Sequence, residues 1–243
     1  MKVLGLIPAR AGSKSIPRKN LAELGGKPLI SWTIDAASKS SLTRTVVSTE
    51  CEEIAGVCRN LGAEVPFLRP KSLASDDSRS IDVVNHAIES LNEKFDAVML
   101  LQPTSPFRTF EDINDALLMK SDASSVISVV PVEGTHPARM KFIEEGFLID
   151  PPFGEEFENM PRQNLRPMYI RNGSIYLTGI NEIYRETFKG DKSRALIMPK
   201  ERSINIDSLF DLQLARAMLK EGDRKSTRLN SSHVSESRMP SSA

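Results

Sequence analysis

Val3-Leu4-Gly5-Leu6-Ile7 runs without interruption into Pro8-Ala9-Arg10-Ala11-Gly12-Ser13-Lys14-Ser15-Ile16-Pro17-Arg18-Lys19-Asn20. The opening run is apolar and has the length of one buried strand. The stretch from Pro8 to Asn20 is basic and punctuated by Gly and Pro, so it reads as a loop. In an open α/β sheet, loops that leave the C-terminal ends of parallel strands build the ligand crevice. The charge in this loop is one-sided: no carboxylate occurs before Glu23, whereas Lys2, Arg10, Lys14, Arg18 and Lys19 are cationic. Fixed cations and free backbone N–H groups near Gly12 suit a polyphosphate and the charge that develops when pyrophosphate leaves. The competing reading is a solvated run of surface charge. The loop is neither a P-loop nor a G-x-G-x-x-G dinucleotide turn, since both patterns are absent.

Outward from this stretch, apolar runs alternate with amphipathic ones. Strands are expected at 45–48, 64–68, 97–101 and 125–130. A helix starting at Pro28 carries Ile30, Ile34 and Ala37; a second carries Cys51, Ile54, Ala55, Cys58 and Leu61 and ends at Gly62; a third carries Ile81, Val84, Ala87, Ile88 and Leu91. Thr109 and Asp112 have the spacing of a capping box for a fourth helix through Ile113, Ala116 and Leu117. The alternation predicts an α/β fold with a mostly parallel, doubly wound, Rossmann-like sheet. It lapses at about 131–171, a stretch rich in Pro, Gly, Glu and Arg that reads as an inserted arm. It resumes with strands at 174–178 and 195–198, a short helix near 180–188, and a final helix carrying Leu209, Leu212, Ala215 and Leu219.

Composition narrows the function classes. The 243 residues hold 32 basic and 32 acidic side chains, which argues against a coat-like nucleic-acid binder and makes any phosphate recognition local. The length suits one domain, expected at 1–222. Residues 223–243 contain seven serines and no apolar period, so they read as a disordered tail foreign to the fold. The first apolar run is too brief to span a membrane and carries no cleavage pattern. Cys51 and Cys58, seven positions apart on a helix, stand roughly 10 Å apart by helical rise, beyond the roughly 7 Å that a disulfide tolerates. A cytoplasmic setting without membrane or nucleic-acid partners is the expectation. His86, His136 and His233 share no pattern with an acidic or nucleophilic partner, so no histidine catalysis is assigned.

The loop, with Ala9-Arg10, Ser13-Lys14, Pro17 and Lys19-Asn20, resembles the A-R-x-x-S-K-G-x-P-x-K-N signature of acylneuraminate cytidylyltransferases. Later blocks match in order: Val47-Ser48-Thr49, Leu68-Arg69-Pro70 with Leu73-Ala74-Ser75-Asp76, Leu100-Leu101-Gln102-Pro103-Thr104-Ser105-Pro106, and Arg171-Asn172-Gly173-Ser174-Ile175-Tyr176. The resemblance covers about residues 1–220. It implies transfer of CMP from CTP to a nine-carbon 2-keto acid (sialic, legionaminic or pseudaminic), with Mg²⁺ and release of pyrophosphate. It further implies that Arg10 and Lys19 hold the triphosphate with Ser13, Lys14 and Asn20 beside them. Arg69 and Ser80 would lie near base and ribose. Gln102, Thr104, Arg162 and Tyr176 would face the sugar acid, and a homodimer would form through the insertion. Asp207, in Ile204-Asn205-Ile206-Asp207, is the choice for a metal carboxylate; its competing role is the N-cap of the last helix. Two positions depart from the family pattern: Asn205 stands where relatives carry Asp, and Ser15 where the signature has Gly. A related enzyme using octulosonate or GTP, and a catalytically weak sugar-nucleotide binder, remain as alternatives.

Overall fold

The computed structural model describes residues 1–155, 157 and 159–221; the tail expected at 223–243 lies outside the described residues. In chain order the strands are β1 (Val3–Pro8), β2 (Glu23–Leu24), β3 (Lys27–Pro28), β4 (Arg44–Ser48), β5 (Ala97–Leu100), β6 (Ser125–Pro131), β7 (Phe142–Glu144), β8 (Phe147–Ile149), β9 (Tyr169–Gly179) and β10 (Ser193–Ile197). The helices are α1 (Leu29–Ser38), α2 (Glu52–Asn60), α3 (Ser80–Leu91), α4 (Phe110–Met119), α5 (Ile180–Tyr184) and α6 (residues 209–221). Six strands form one sheet in the order β10-β6-β9-β5-β1-β4. The pairs β1 with β4, β1 with β5, and β10 with β6 are parallel, while β9 runs antiparallel between β5 and β6. The expected mostly parallel sheet is therefore present, with one reversed strand inside it.

Helices cover both faces because the central strands are apolar on both. Val3 and Ile7 of β1, with Ala97 and Met99 of β5, pack under Ile30 and Ile34 of α1, Ile54 and Cys58 of α2, and Ile113 and Ala116 of α4. Leu4, Leu6, Val98 and Leu100, one position out of phase, face Ile81, Val84 and Ala87 of α3 and Ile183 of α5. Pro28 directly precedes the first helical residue and leaves no N–H unpaired there. The capping box of α4 is formed in both directions: the Thr109 hydroxyl accepts from the Asp112 N–H, and the Asp112 carboxylate accepts from the Thr109 N–H. Both cysteines are free, and burial pushes the Cys58 thiol up to about 11.

One expected strand is corrected. Residues 64–68 make only two isolated bridges, Val46 with Glu64 and Thr49 with Leu68. Pro66 sits in the middle of this stretch and has no N–H to donate, so a continuous ladder cannot form there. Within the region expected as an insertion, β7 and β8 form an antiparallel hairpin that, among the described residues, joins no other strand. Among the described residues no helix is long and apolar enough to cross a membrane.

Candidate functional site

A third apolar cluster decides where the two ends of the chain meet. Ile16 of the basic loop, Leu24, Leu29, Ile206, and Leu212 and Ala215 of α6 are packed together. Ile206 is fully buried; its N–H donates to the Thr104 carbonyl at 2.7 Å, and its own carbonyl accepts from Lys19 Nζ at 3.0 Å. Residues 204–207 are thus pinned between the loop after β1 and the loop after β5. Residues widely separated in sequence converge as a result.

They line a cavity of about 370 Å³ at the C-terminal ends of β1 and β5. Of the residues singled out from sequence, Arg10, Ser13, Lys19, Asn20, Arg69, Ser80, Gln102, Thr104, Asn205 and Asp207 all border it. Lys14 lines a shallower lobe next to it together with Arg10, Ser13 and Asp76. Asn20 is buried and donates from Nδ2 to the Arg10 carbonyl at 2.8 Å, so it fixes the loop as well as bordering the cavity. Ser15 does not adopt positive φ; the left-handed residue of the loop is Arg18, at φ 50°. The Gly-to-Ser difference therefore places no strain on this backbone.

Two expected site residues, Arg162 and Tyr176, do not border this cavity. Arg162 opens a short 3-10 turn beyond β8, where its guanidinium meets Glu133 at 3.2 Å. Tyr176 lies on β9 between Ile175 and Leu177, which face the first core cluster. Period-two alternation turns its ring to the opposite side of the sheet, against Phe188 with centroids 5.9 Å apart. Burial there raises its phenol above the usual value.

Asp207 is not the N-cap of α6, because Ser208 and Asp211 cap that helix. Ser208 Oγ accepts from the Asp211 N–H at 3.3 Å, and the Asp211 carboxylate accepts from the Ser208 N–H at 2.7 Å. This reciprocal box leaves the Asp207 side chain two-thirds exposed, paired with Lys19 Nζ at 3.0 Å and accepting from the Asn205 amide. The Asn205 Oδ1 atom is buried and has no hydrogen-bond partner among the described residues. These two residues offer oxygen donors suited to a hard cation. Among the described residues no group of three His, Cys, Asp or Glu side chains forms a metal cage. A cation held here would need oxygens from a ligand, as Mg²⁺ sites commonly do.

Several side chains that shape the site carry no signal in the sequence. Glu50, after β4, accepts from the Ala11 N–H at 2.7 Å with one oxygen and from Arg69 at 3.1 Å with the other, tying the basic loop to the buried arginine. Burial lowers the pKa of Arg69, and Glu50 opposes that shift. Arg108 is buried and donates to the Ser174 carbonyl and to Thr33 Oγ1, bracing the wall that carries Gln102. Ala11 lies 39 positions from Glu50, and Thr33 lies 75 from Arg108, so no local pattern points to either contact.

The Arg171-Asn172-Gly173-Ser174 block acquires a physical role. Between the pairs Ile127↔Tyr176 and Val129↔Arg171, β9 advances five residues while β6 advances two, which makes a bulge. Asn172 satisfies it, accepting from Ser128 Oγ at 2.6 Å and donating to Ser203 Oγ at 2.9 Å. Gly173 turns at φ 75°, and a Cβ added there would stand 2.9 Å from Gln102 Oε1. Gly173→Ala is therefore expected to destabilise the fold by about 1–2 kcal/mol through its left-handed backbone. Thermal unfolding should fall by roughly 2–8 °C, and a crystal structure should show Gln102 swung aside.

Comparison with known proteins bears on this arrangement. The sequence pattern of the family described as cytidylyltransferase matches residues 4–141. The CMP-N,N'-diacetyllegionaminic acid synthase of Legionella pneumophila is 39% identical over 227 residues, covering 90% of this chain and 97% of its own. The pseudaminic acid cytidylyltransferase of Campylobacter jejuni is 33% identical, with 90% and 97% covered. The N-acylneuraminate cytidylyltransferase of Escherichia coli is 31% identical over 92% of this chain and 54% of its own length. Among solved structures, a CMP:2-keto-3-deoxy-manno-octonic acid synthetase complexed with CTP superimposes with a TM-score of 0.69 at 14% identity, covering 91% of this chain and 100% of that one. At that identity the likeness speaks for the fold alone.

Proposed function

The chain belongs to the cytidylyltransferase family, and on that premise we propose that it transfers CMP from CTP to the anomeric hydroxyl of a nine-carbon 2-keto sugar acid. The observation that carries the reading is the convergence of Arg10 and Lys19 with Gln102 and Thr104 on one cavity. Cations suited to a polyphosphate share it with polar groups able to order a polyhydroxylated acid. The relatives named for legionaminic, pseudaminic and N-acylneuraminic acids favour this acid class over octulosonate, and the family description favours CTP over GTP.

In the proposed reaction the anomeric hydroxyl attacks the α-phosphorus and gives up its proton to solvent, a new P–O bond forms, and the bond to the β-phosphate breaks to release pyrophosphate. Arg10 and Lys19 neutralise the charge gathering on the leaving group, and rigidly held donors lose little in reorganisation. Ser13 and Asn20 sit beside them. Arg69, held by Glu50, and Ser80 at the start of α3 border the same cavity, and to them we assign the nucleoside. We assign Mg²⁺ to Asp207 and the free Asn205 oxygen, where it would polarise phosphate oxygens. A cytoplasmic setting matches the need for a nucleoside triphosphate.

The experiment is a matrix of four nucleoside triphosphates against several 2-keto sugar acids, scored by pyrophosphate. Turnover with CTP and a nine-carbon acid is expected; nucleotide binding without turnover in any combination would overturn the reading in favour of a binding protein.

We also propose a homodimer. On the β7–β8 hairpin, Ile143, Phe147 and Leu148 are each more than 70% exposed, and Phe142 is 54% exposed. Apolar surface of this kind on both strands calls for a cover, and a second copy of the hairpin offers a symmetric one. Sedimentation at working concentration should give twice the chain mass; a monomer there would contradict the assignment, and Ile143→Lys should shift the equilibrium toward monomer.

A further inference from the structure

The basic loop has no acidic neighbour in sequence, yet the fold delivers a carboxylate to it. Asp76 meets Arg10 Nη2 at 2.8 Å through Oδ1 and Lys14 Nζ at 2.7 Å through Oδ2, while Arg10 Nη1 donates to the Ser75 carbonyl at 2.8 Å. Two oxygens of one anion thus bridge two cations at the mouth of the cavity, and Asp76 borders both the cavity and its adjoining lobe. A pair of phosphate oxygens would make the same contacts. Guanidinium and ammonium groups already engaged by a carboxylate must exchange partners to take them.

Resting on the function proposed above, we infer that Asp76 is a displaceable internal competitor for the phosphates, giving up Arg10 and Lys14 as a triphosphate enters and reclaiming them as pyrophosphate leaves. Three features suit it to this role. Its carboxyl, held below the usual range chiefly by its hydrogen bond with Lys14, is an aspartate and as such a full negative charge at neutral pH. The pairs are open to water, with Lys14 85% and Asp76 41% exposed, which keeps them weak enough to exchange. The turn that carries Asp76 is held independently of it: Ser78 Oγ lies 2.8 Å from Ser75 Oγ and donates to the Ser72 carbonyl at 3.0 Å. The side chain can therefore rotate away while its backbone stays in place.

The test is Asp76→Asn, titrated calorimetrically beside the wild type with inorganic pyrophosphate and, separately, with CTP. Removing two exposed ion pairs of ordinary strength should tighten pyrophosphate binding roughly 3- to 10-fold. CTP binding should tighten in the same direction, and kcat should fall along with KM as product release slows. Pyrophosphate binding that is unchanged or weaker in the variant, with an unaltered thermal transition, would overturn the inference and make Asp76 a fixed support for Arg10. A wild type that binds neither CTP nor pyrophosphate would instead sink the proposed function itself, and this inference with it.

Discussion

Lys19→Met is expected to lower kcat/KM for pyrophosphate release about 100- to 1,000-fold, the range typical of losing one preorganised charge that stabilises a transition state. The size of the effect comes from its position. The side chain is only 15% exposed, so its charge is poorly screened, and Nζ stands 3.0 Å from both the Ile206 carbonyl and Asp207 Oδ1. Nζ therefore reaches the cavity where the basic loop meets the segment proposed to hold the metal. A purely structural role for Lys19 predicts something different: a loss of thermal stability with activity retained in the folded fraction. Steady-state kinetics beside a melting curve separates the two, and activity within about threefold of wild type, under 1 kcal/mol, would remove Lys19 from the chemistry.

Asp207→Ala is expected to abolish measurable turnover, a loss of about 1,000-fold or more when a metal carboxylate is removed. The melting transition should move little. Its carboxylate is two-thirds exposed, and the N-terminus of α6 is capped by Ser208 and Asp211. Ser208→Ala provides the contrast, costing about 1 kcal/mol of stability as a lost cap while leaving turnover in place. If the two variants behaved the other way round, Asp207 would be the cap and the metal assignment would fail.

The legibility of each feature in the sequence depends on how local its signal is. The strand 3–7 and its basic loop, the α4 capping box and the apolar periods of α1, α2 and α3 are written in adjacent residues, and the structure contains them. At 64–68 the apolar run suggests a strand, but the missing N–H of Pro66 outweighs it. The antiparallel course of β9 is not visible in sequence either, since direction in a sheet depends on which strands it joins. Most of the candidate cavity can be named, because its residues sit on loops that leave strand ends. Tyr176 misses the cavity by a single step of strand alternation, and Arg162 lies in the inserted segment beside Glu133, not at the cavity of its own chain. Glu50 gives no sign in sequence, and Asp76 stands in a matching block without revealing its partner, because their contacts are with loop groups, Ala11 N–H and the Arg10 guanidinium, far along the chain. Only the fold removes that distance.

Crystals soaked with CTP test the central claim most directly. The triphosphate should lie against the loop after β1, with phosphate oxygens about 3 Å from Arg10 and Lys19. A triphosphate bound elsewhere, with both side chains left in solvent, would contradict the account.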